Sequence, residues 1–243
     1  MSLQFSKGDI MVSMPKLPHL QDKHLERLVR EKKPTETSHY NSHFLDPFKT
    51  AIEKVELARK TGDVTAPGDI HVASLGEKLS AVRILEASFH NDLLRALLGV
   101  KFPMDDPASR FGAAVSNIKY HIWAIPETVL ETSLQEAQLD PALSSVIAGI
   151  IEVLRRTEYE SAWTREVLEK VLRELTSKSI VGSTTSIGEP KSVYKILRWA
   201  LVASEQGLPL AATMDILGRE ETLRRFDAAL RVARPNEATA SEE

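Results

Sequence analysis

Residues 192–230 read SVYKILRWALVASEQGLPLAATMDILGREETLRRFDAAL. Apolar residues fall at helical spacing on both sides of Gly207-Leu208-Pro209-Leu210, and a second break is signalled by Gly218. The stretch therefore predicts two or three short helices joined by tight turns. Its basic residues, Arg198, Arg219, Arg224 and Arg225, sit at the ends of those helices.

The same period runs outward along the chain. Phe48, Ala51, Ile52, Val55 and Ala58 form one helical stripe. Leu143, Val146, Ile147, Ile150, Ile151 and Leu154 form another, apolar nearly all round and so expected in a core. Leu75, Leu79, Val82, Leu85, Phe89, Leu93 and Leu97 predict a long helix that breaks near Gly99. Trp163–Leu175 and Val193–Ala203 follow the same rule. Asp-Pro occurs where helices should start, at Asp46-Pro47, Asp106-Pro107 and Asp140-Pro141. In each case the carboxylate can bond free backbone amides, and the proline's fixed φ suits the first turn. Asp9–Met14 and Glu127–Leu130 hint at extended chain. The expected fold class is all-α with little or no sheet. Lys33–Asn41, Thr61–Asp69 and the Ser/Thr/Gly-rich Ser177–Pro190 read as linkers, the last as a mobile loop. The small and acidic residues 235–243 read as a disordered tail.

A chain of 243 residues with 42% hydrophobic and 27% charged residues can bury a substantial core. No apolar run approaches the length of a membrane span, and no membrane partner is expected. The absence of cysteine removes disulfides, thiolate nucleophiles and thiolate metal sites. The net charge of −3 is unevenly spread. Residues 1–60 carry 11 Lys and Arg against 8 Asp and Glu, and residues 191–234 carry 8 against 5, whereas residues 61–190 carry 12 against 18. Both ends of the expected folded region lean positive, which is compatible with one RNA-facing surface.

No catalytic carrier is visible. Neither a Gly-x-Gly loop nor a Gly-Lys-Ser/Thr triplet occurs, and there is no nucleophile elbow. His39 and His43 have a spacing that brings two imidazoles together on a helix. They fall in a Ser/Asn-rich stretch without a further ligand, so no metal site is assigned. His19 and His24 flank a helix and read as surface or interface residues. Asp105-Asp106 is explained by capping. Trp123, Trp163 and Trp199 read as packing residues. Tyr194 precedes Arg198 by one helical turn, and an exposed aromatic beside an arginine can stack an unpaired base. Arg224-Arg225 has a plainer reading as a solvated face balanced by Glu220-Glu221 one turn earlier.

Arg198, Ala200, Leu201, the Pro209-Leu210 turn, Leu217-Gly218-Arg219-Glu220 and Arg224-Arg225, in this order, resemble the carboxy-terminal anticodon-binding region of mitochondrial- and bacterial-type glutamyl-tRNA synthetases. A second match is Lys16-Leu17-Pro18-His19-Leu20 with His24-Leu25 and Arg27-Leu28-Val29, similar to the point where such enzymes leave their catalytic half. A third is Trp163 heading Val167, Leu168, Val171, Leu172 and Arg173. The sequence departs from the family turn. The usual Thr-Gly is Val202-Ala203, the proline sits one place later at Pro209, and the family's lysine is Arg219.

The resemblance implies two packed helical subdomains of the class I anticodon-binding type. Residues 1–15 would be a short extended lead-in, 16–135 the first subdomain, and 136–234 the second, with its loop at 177–190. It also implies tRNA-binding residues: Arg198, Gly207, Leu208, Pro209, Leu210, Arg219, Arg224 and Arg225, with Tyr194 as a base-stacking residue. The family's ATP-binding elements, a His-Ile-Gly-His-like motif and a Lys-Met-Ser-Lys-Ser-like loop, do not occur; Gly76–Ser80 is a superficial echo of the second. No catalytic residue is assigned. ATP and Mg2+ would belong to a separate catalytic domain, with which this chain would support glutamyl-tRNA formation on a glutamate-accepting tRNA. The resemblance places the protein in the mitochondrial matrix, although the first 30 residues contain Asp9, Asp22 and Glu26, unlike an acid-poor targeting segment; otherwise a cytoplasmic location is expected. The acidic middle of the chain motivates a different expectation, a non-catalytic helical scaffold that binds protein.

Overall fold

The computed structural model describes residues 16–31, 37–64, 66–79, 89–101, 103, 106, 108–137, 143–156, 162–177, 190–204 and 207–234. The described residues are largely helical, as expected. The helices are α1 (Leu17–Glu31), α2 (Thr37–Tyr40), α3 (Asp46–Thr61), α4 (His90–Leu98), α5 (Ser109–Asn117), α6 (Lys119–Ile122), α7 (Glu127–Ala137), α8 (Leu143–Leu154), α9 (Arg165–Ser177), α10 (Pro190–Val202) and α11 (Leu210–Ala233). No strand occurs among the described residues, which contain a single isolated antiparallel bridge, between Lys78 and Trp123. None of the described helices is long and apolar enough to cross a membrane.

The chain forms two compact units, Met1–Val72 with His90–Asn117 and Ala73–Phe89 with Ile118–Glu243. The division between these units falls at 72/73, 89/90 and 117/118.

In the first unit, the α3 stripe buries Phe48, Ala51, Ile52, Val55 and Ala58 as its spacing predicts. Phe44 and Phe48 meet edge to face with centroids 5.5 Å apart, and Phe48 meets Phe111 of α5 at 5.1 Å. Aromatic edges set against faces add to the simple burial of these rings. Tyr40 bonds His90 of α4, and burial raises the Tyr40 phenol above its ordinary pKa. Arg110 is buried in α5, donating Nε–H to the Leu97 carbonyl at 3.1 Å and pairing with Asp22 of α1 at 2.7 Å.

Asp46 does not cap α3: a π-helical turn, Asn41–Leu45, runs directly into it, and the Asp46 amide donates to the Asn41 carbonyl. With the upstream chain already helical, the first amides need no side-chain cap, and the Asp46 carboxylate pairs with Lys49 instead. His39 and His43 consequently lie on helical turns, not in a loop. Asp106 does accept from the Ala108 amide at 3.2 Å, as its capping role requires.

In the second unit, α8 buries Leu143, Val146, Ile147, Ile150, Ile151 and Leu154, as expected. Helix α11 packs on α7, α8, α9 and α10. It is broken at Gly218, whose φ of 76° and ψ of 170° are essentially restricted to glycine. Where the path breaks, the Met214 carbonyl accepts from the Trp163 indole N–H at 3.0 Å. Trp123 is 0% exposed, and Trp199 is buried with its indole N–H on Ser133 Oγ and the Leu130 carbonyl. Of the helix expected from Leu75, residues 75–79 are not helical, while Leu93 and Leu97 lie in α4. Gly76, Glu77 and Leu79 bond the backbone of Ala124 and Ile122 at 2.9–3.0 Å. A Cβ at Gly76 would lie 2.5 Å from the Ala124 carbonyl oxygen, so this pairing depends on glycine. Glu127–Leu130, expected extended, is the first turn of α7. Asp9–Met14, Asp140-Pro141, residues 80–88, most of the 177–190 loop and the 235–243 tail lie outside the described residues.

Candidate nucleic-acid interface

The candidate surface begins on α10. Val193, Ile196, Leu197, Ala200 and Leu201 are buried, which leaves Tyr194 and Lys195 exposed and Arg198 half-buried on the polar face. Tyr194 is 39% exposed and lies one turn before Arg198, as a stacking platform requires. The helix ends at Val202. Ala203 takes φ of 48°, the left-handed conformation that glycine adopts freely, and donates its amide to the Trp199 carbonyl at 2.8 Å. Alanine in this conformation costs on the order of 1–2 kcal/mol, a cost that a glycine at the turn would avoid.

Beyond that, Gly207 and Pro209 are exposed while Leu208 and Leu210 point into the core at 4% exposure each. Arg198 donates from Nη1 to the Leu208 carbonyl at 2.9 Å and so ties the turn back to α10. Pro209 occupies the cap position of α11, and its carbonyl accepts the Thr213 amide. Of the four turn residues expected to meet RNA, two therefore reach solvent and two anchor the turn.

Arg225, which the resemblance implies on the RNA-facing surface, is instead 2% exposed. Its Nε donates to Glu221 at 2.7 Å, its Nη1 to the Leu201 carbonyl and its Nη2 to the Trp123 carbonyl at 3.3 Å. Position 225 faces inward because it shares a side of α11 with Thr222, Phe226 and Ala229, all buried. Arg224, one position round the helix, is exposed and grips the same Glu221 with Nε and Nη2 at 2.6 and 2.7 Å. Burial opposes ionisation of Glu221, but the two arginine hydrogen bonds outweigh it and hold its carboxyl below the ordinary range. Arg219 is half-buried and donates to the Arg155 carbonyl at 3.3 Å.

Sequence reasoning missed His121. It is 1% exposed in α6, with Nδ1 3.2 Å from the Ile118 carbonyl and Nε2 3.1 Å from Thr213 Oγ1 in α11. A carbonyl can only accept, so Nδ1 carries the proton and Nε2 accepts from the threonine hydroxyl. Burial, and then the charge of Arg225, pull its pKa down to about 3. His121 is thus a neutral pin between α6 and α11. Its one signal in the sequence is a lone polar residue between Tyr120 and Ile122-Trp123.

The arrangement presents exposed Tyr194, Lys195, Gly207, Pro209 and Arg224 on a scaffold held by Arg198, Arg225 and His121. A ring and dispersed cations of this kind can bind unpaired bases and phosphates. Among the described residues, no group of three or more His, Asp or Glu is arranged to hold a metal ion.

Residues 125–230 match the family described as an anticodon binding domain. Over 136 residues the chain is 32% identical to a glutamate–tRNA ligase of Methylobacillus flagellatus, covering 56% of this chain and 26% of that protein. It is 29% identical over 175 residues to the corresponding ligase of Corynebacterium efficiens, covering 65% and 33%. It is 38% identical over 88 residues to glutamate–tRNA ligase 2 of Paramagnetospirillum magneticum, covering 35% and 17%. The chain therefore spans about a third or less of the length of these relatives. No solved structure matches it. The α10–α11 junction, with its arginine-closed turn and the Gly218 break, lies inside the matched segment, which is similar to the anticodon-binding family and to part of these glutamate–tRNA ligases.

Proposed function

We propose that this chain contacts the anticodon arm of a tRNA through the α10–α11 junction. The match of residues 125–230 to the anticodon-binding family is the observation that supports this most strongly. The names of the relatives support a glutamate-accepting tRNA as the ligand. Tyr194 stacks an unpaired base, Lys195 and Arg224 meet phosphates, and Gly207 and Pro209 bring backbone close to the splayed loop. Arg198 acts mainly through the turn that it closes, while Leu208, Leu210 and Arg225 support that turn from beneath. The chain makes or breaks no bond itself in this reading. It orients the tRNA for an ATP- and Mg2+-dependent catalytic domain. The relatives are bacterial proteins, which supports a bacterial-type setting; the mitochondrial placement rests on the resemblance alone.

A protein-interaction scaffold is the competing reading, and one observation favours it. Arg155, Arg224 and Arg231 are each already paired with a carboxylate, from Asp227, Glu221 and Glu127, so the exposed cationic surface is partly neutralised. Filter binding of tRNA to R198Q and R224Q separates the two. The tRNA reading expects each to weaken binding by about 1–3 kcal/mol, whereas unchanged affinity in both variants contradicts it.

A further inference from the structure

Thr213, in the first turn of α11, holds the α10–α11 junction in two directions. Its amide donates to the Pro209 carbonyl at 2.9 Å, which fixes the helix start to the exposed end of the Gly207–Leu210 turn. Its hydroxyl meets Nε2 of His121 in α6 at 3.1 Å, across 92 positions of chain. A threonine in a helix commonly turns its hydroxyl to the carbonyl four residues back, which here is that of Pro209. In this helix the hydroxyl is directed to the histidine, whose Nε2 is an acceptor because Nδ1 donates to the Ile118 carbonyl at 3.2 Å.

The element on the far side of that bond is firmly seated. Ile118, Ile122 and Trp123 are each 1% exposed or less, and the Trp123 carbonyl accepts from buried Arg225 at 3.3 Å. Thr213 and His121 are also 1% exposed each, so water does not replace either partner when the bond is lost. Two consecutive carbonyls of the turn are therefore tied to different elements. That of Leu208 is held from α10 by Arg198, and that of Pro209 is held from α6 by way of Thr213. Arg198 fixes the turn only to the helix that precedes it. The His121–Thr213 bond fixes it to an element outside the α10–α11 pair.

We propose that His121 and Thr213 are positioning residues for tRNA recognition, setting where Pro209 stands against the anticodon bases without either side chain touching RNA. The proposal rests on the reading that the α10–α11 junction meets the anticodon arm. Lys195 and Arg224 lie on exposed faces that this bond does not orient. Losing the bond therefore lowers discrimination between anticodons, while the salt-dependent contribution of phosphate contacts stays.

The test is titration of the full chain, well below its Tm, with a glutamate tRNA and the same tRNA with an altered anticodon, at several salt concentrations. The variants are T213V, H121Q, T213S and, as a control that loosens the core elsewhere, I147V in α8; circular dichroism establishes that each is folded. T213V and H121Q should each reduce the ratio of the two affinities by about 2- to 30-fold, the range for residues that act without touching the ligand. The slope of affinity against salt should be unchanged, T213S should restore the ratio, and I147V should leave it intact. A ratio unchanged in T213V and H121Q, or lowered as much by I147V, overturns the proposal while the tRNA reading stands. No discrimination by the unsubstituted chain overturns both.

Discussion

Each unit holds a buried arginine, and the two are held in different ways. Arg110 in the first unit bonds a carbonyl in the last turn of α4 and pairs with Asp22, 88 residues away on α1. Arg225 in the second bonds a carbonyl in the last turn of α10 and another just beyond α6, but pairs with Glu221 on its own helix, four residues back. Both guanidiniums sit where helix ends carry partial negative charge. The difference lies in the carboxylate. Asp22 meets Arg110 only once α1 and α5 have packed, whereas Glu221 is beside Arg225 as soon as the helix forms. Glu221 also holds exposed Arg224, so in the second unit one carboxylate serves both the core and the proposed RNA-facing charge.

The largest expected effect comes from breaking the two clamps. R225M leaves two buried carbonyls without their donor and should cost about 3–5 kcal/mol in urea denaturation, as for other broken buried ion pairs. R110M should cost about 1–3 kcal/mol, because Asp22, with its side chain 31% exposed, can turn to water. An R110M loss equal to or larger than that of R225M would remove the contrast.

A second test uses pH. The folded pKa of His121, about 3, is far below its ordinary 6.5. Above pH 6.5 the imidazole is neutral in both states and its contribution is complete. As pH falls below 6.5 the unfolded chain takes up a proton that the folded chain refuses, and stability is lost progressively towards pH 3. The loss should reach about 2 kcal/mol by pH 5. In H121Q that part of the acid slope should vanish; an identical slope in both proteins argues against the buried neutral pin.

The smallest effect on stability belongs to the neighbour of Arg225. Arg224 has its side chain 54% exposed, and Glu221 keeps its second partner without it. R224Q should therefore change stability by no more than about 1 kcal/mol while weakening tRNA binding. A stability loss approaching that of R225M would show that the two arginines do not divide the roles assigned to them.

How far the sequence could be read depends on which partner a residue meets. The stripes of α3 and α8 were legible because burial on one face imposes a period that needs no knowledge of the rest of the fold. The i to i+4 pairing of Glu221 with Arg225 was legible for the same local reason. What the spacing could not say is which of two adjacent arginines faces the core, since that depends on where α10 and α6 end. The stripe beginning at Leu75 misled because Leu75 and Leu79 fit a helix, whereas the backbone there bonds Ile122 and Ala124 more than 40 residues on. Asp46 misled because a cap matters only where a helix begins, and the π-helical turn had already begun one. The hydrogen bond between His24 and His39 is a tertiary fact with no local signature. At the candidate interface, the place of Tyr194 one helical turn before Arg198 and the break at Gly207–Leu210 are legible in the sequence, while His121 is hidden by its apolar neighbours.

The central claim is that this chain reads a tRNA through the α10–α11 junction, and a binding titration tests it most directly. The chain is titrated with a glutamate tRNA, the same tRNA with an altered anticodon, and a non-cognate tRNA, each at two salt concentrations. The account predicts salt-sensitive binding that favours the glutamate tRNA and weakens when its anticodon is changed. Binding that is absent, or equal for all three RNAs, contradicts it.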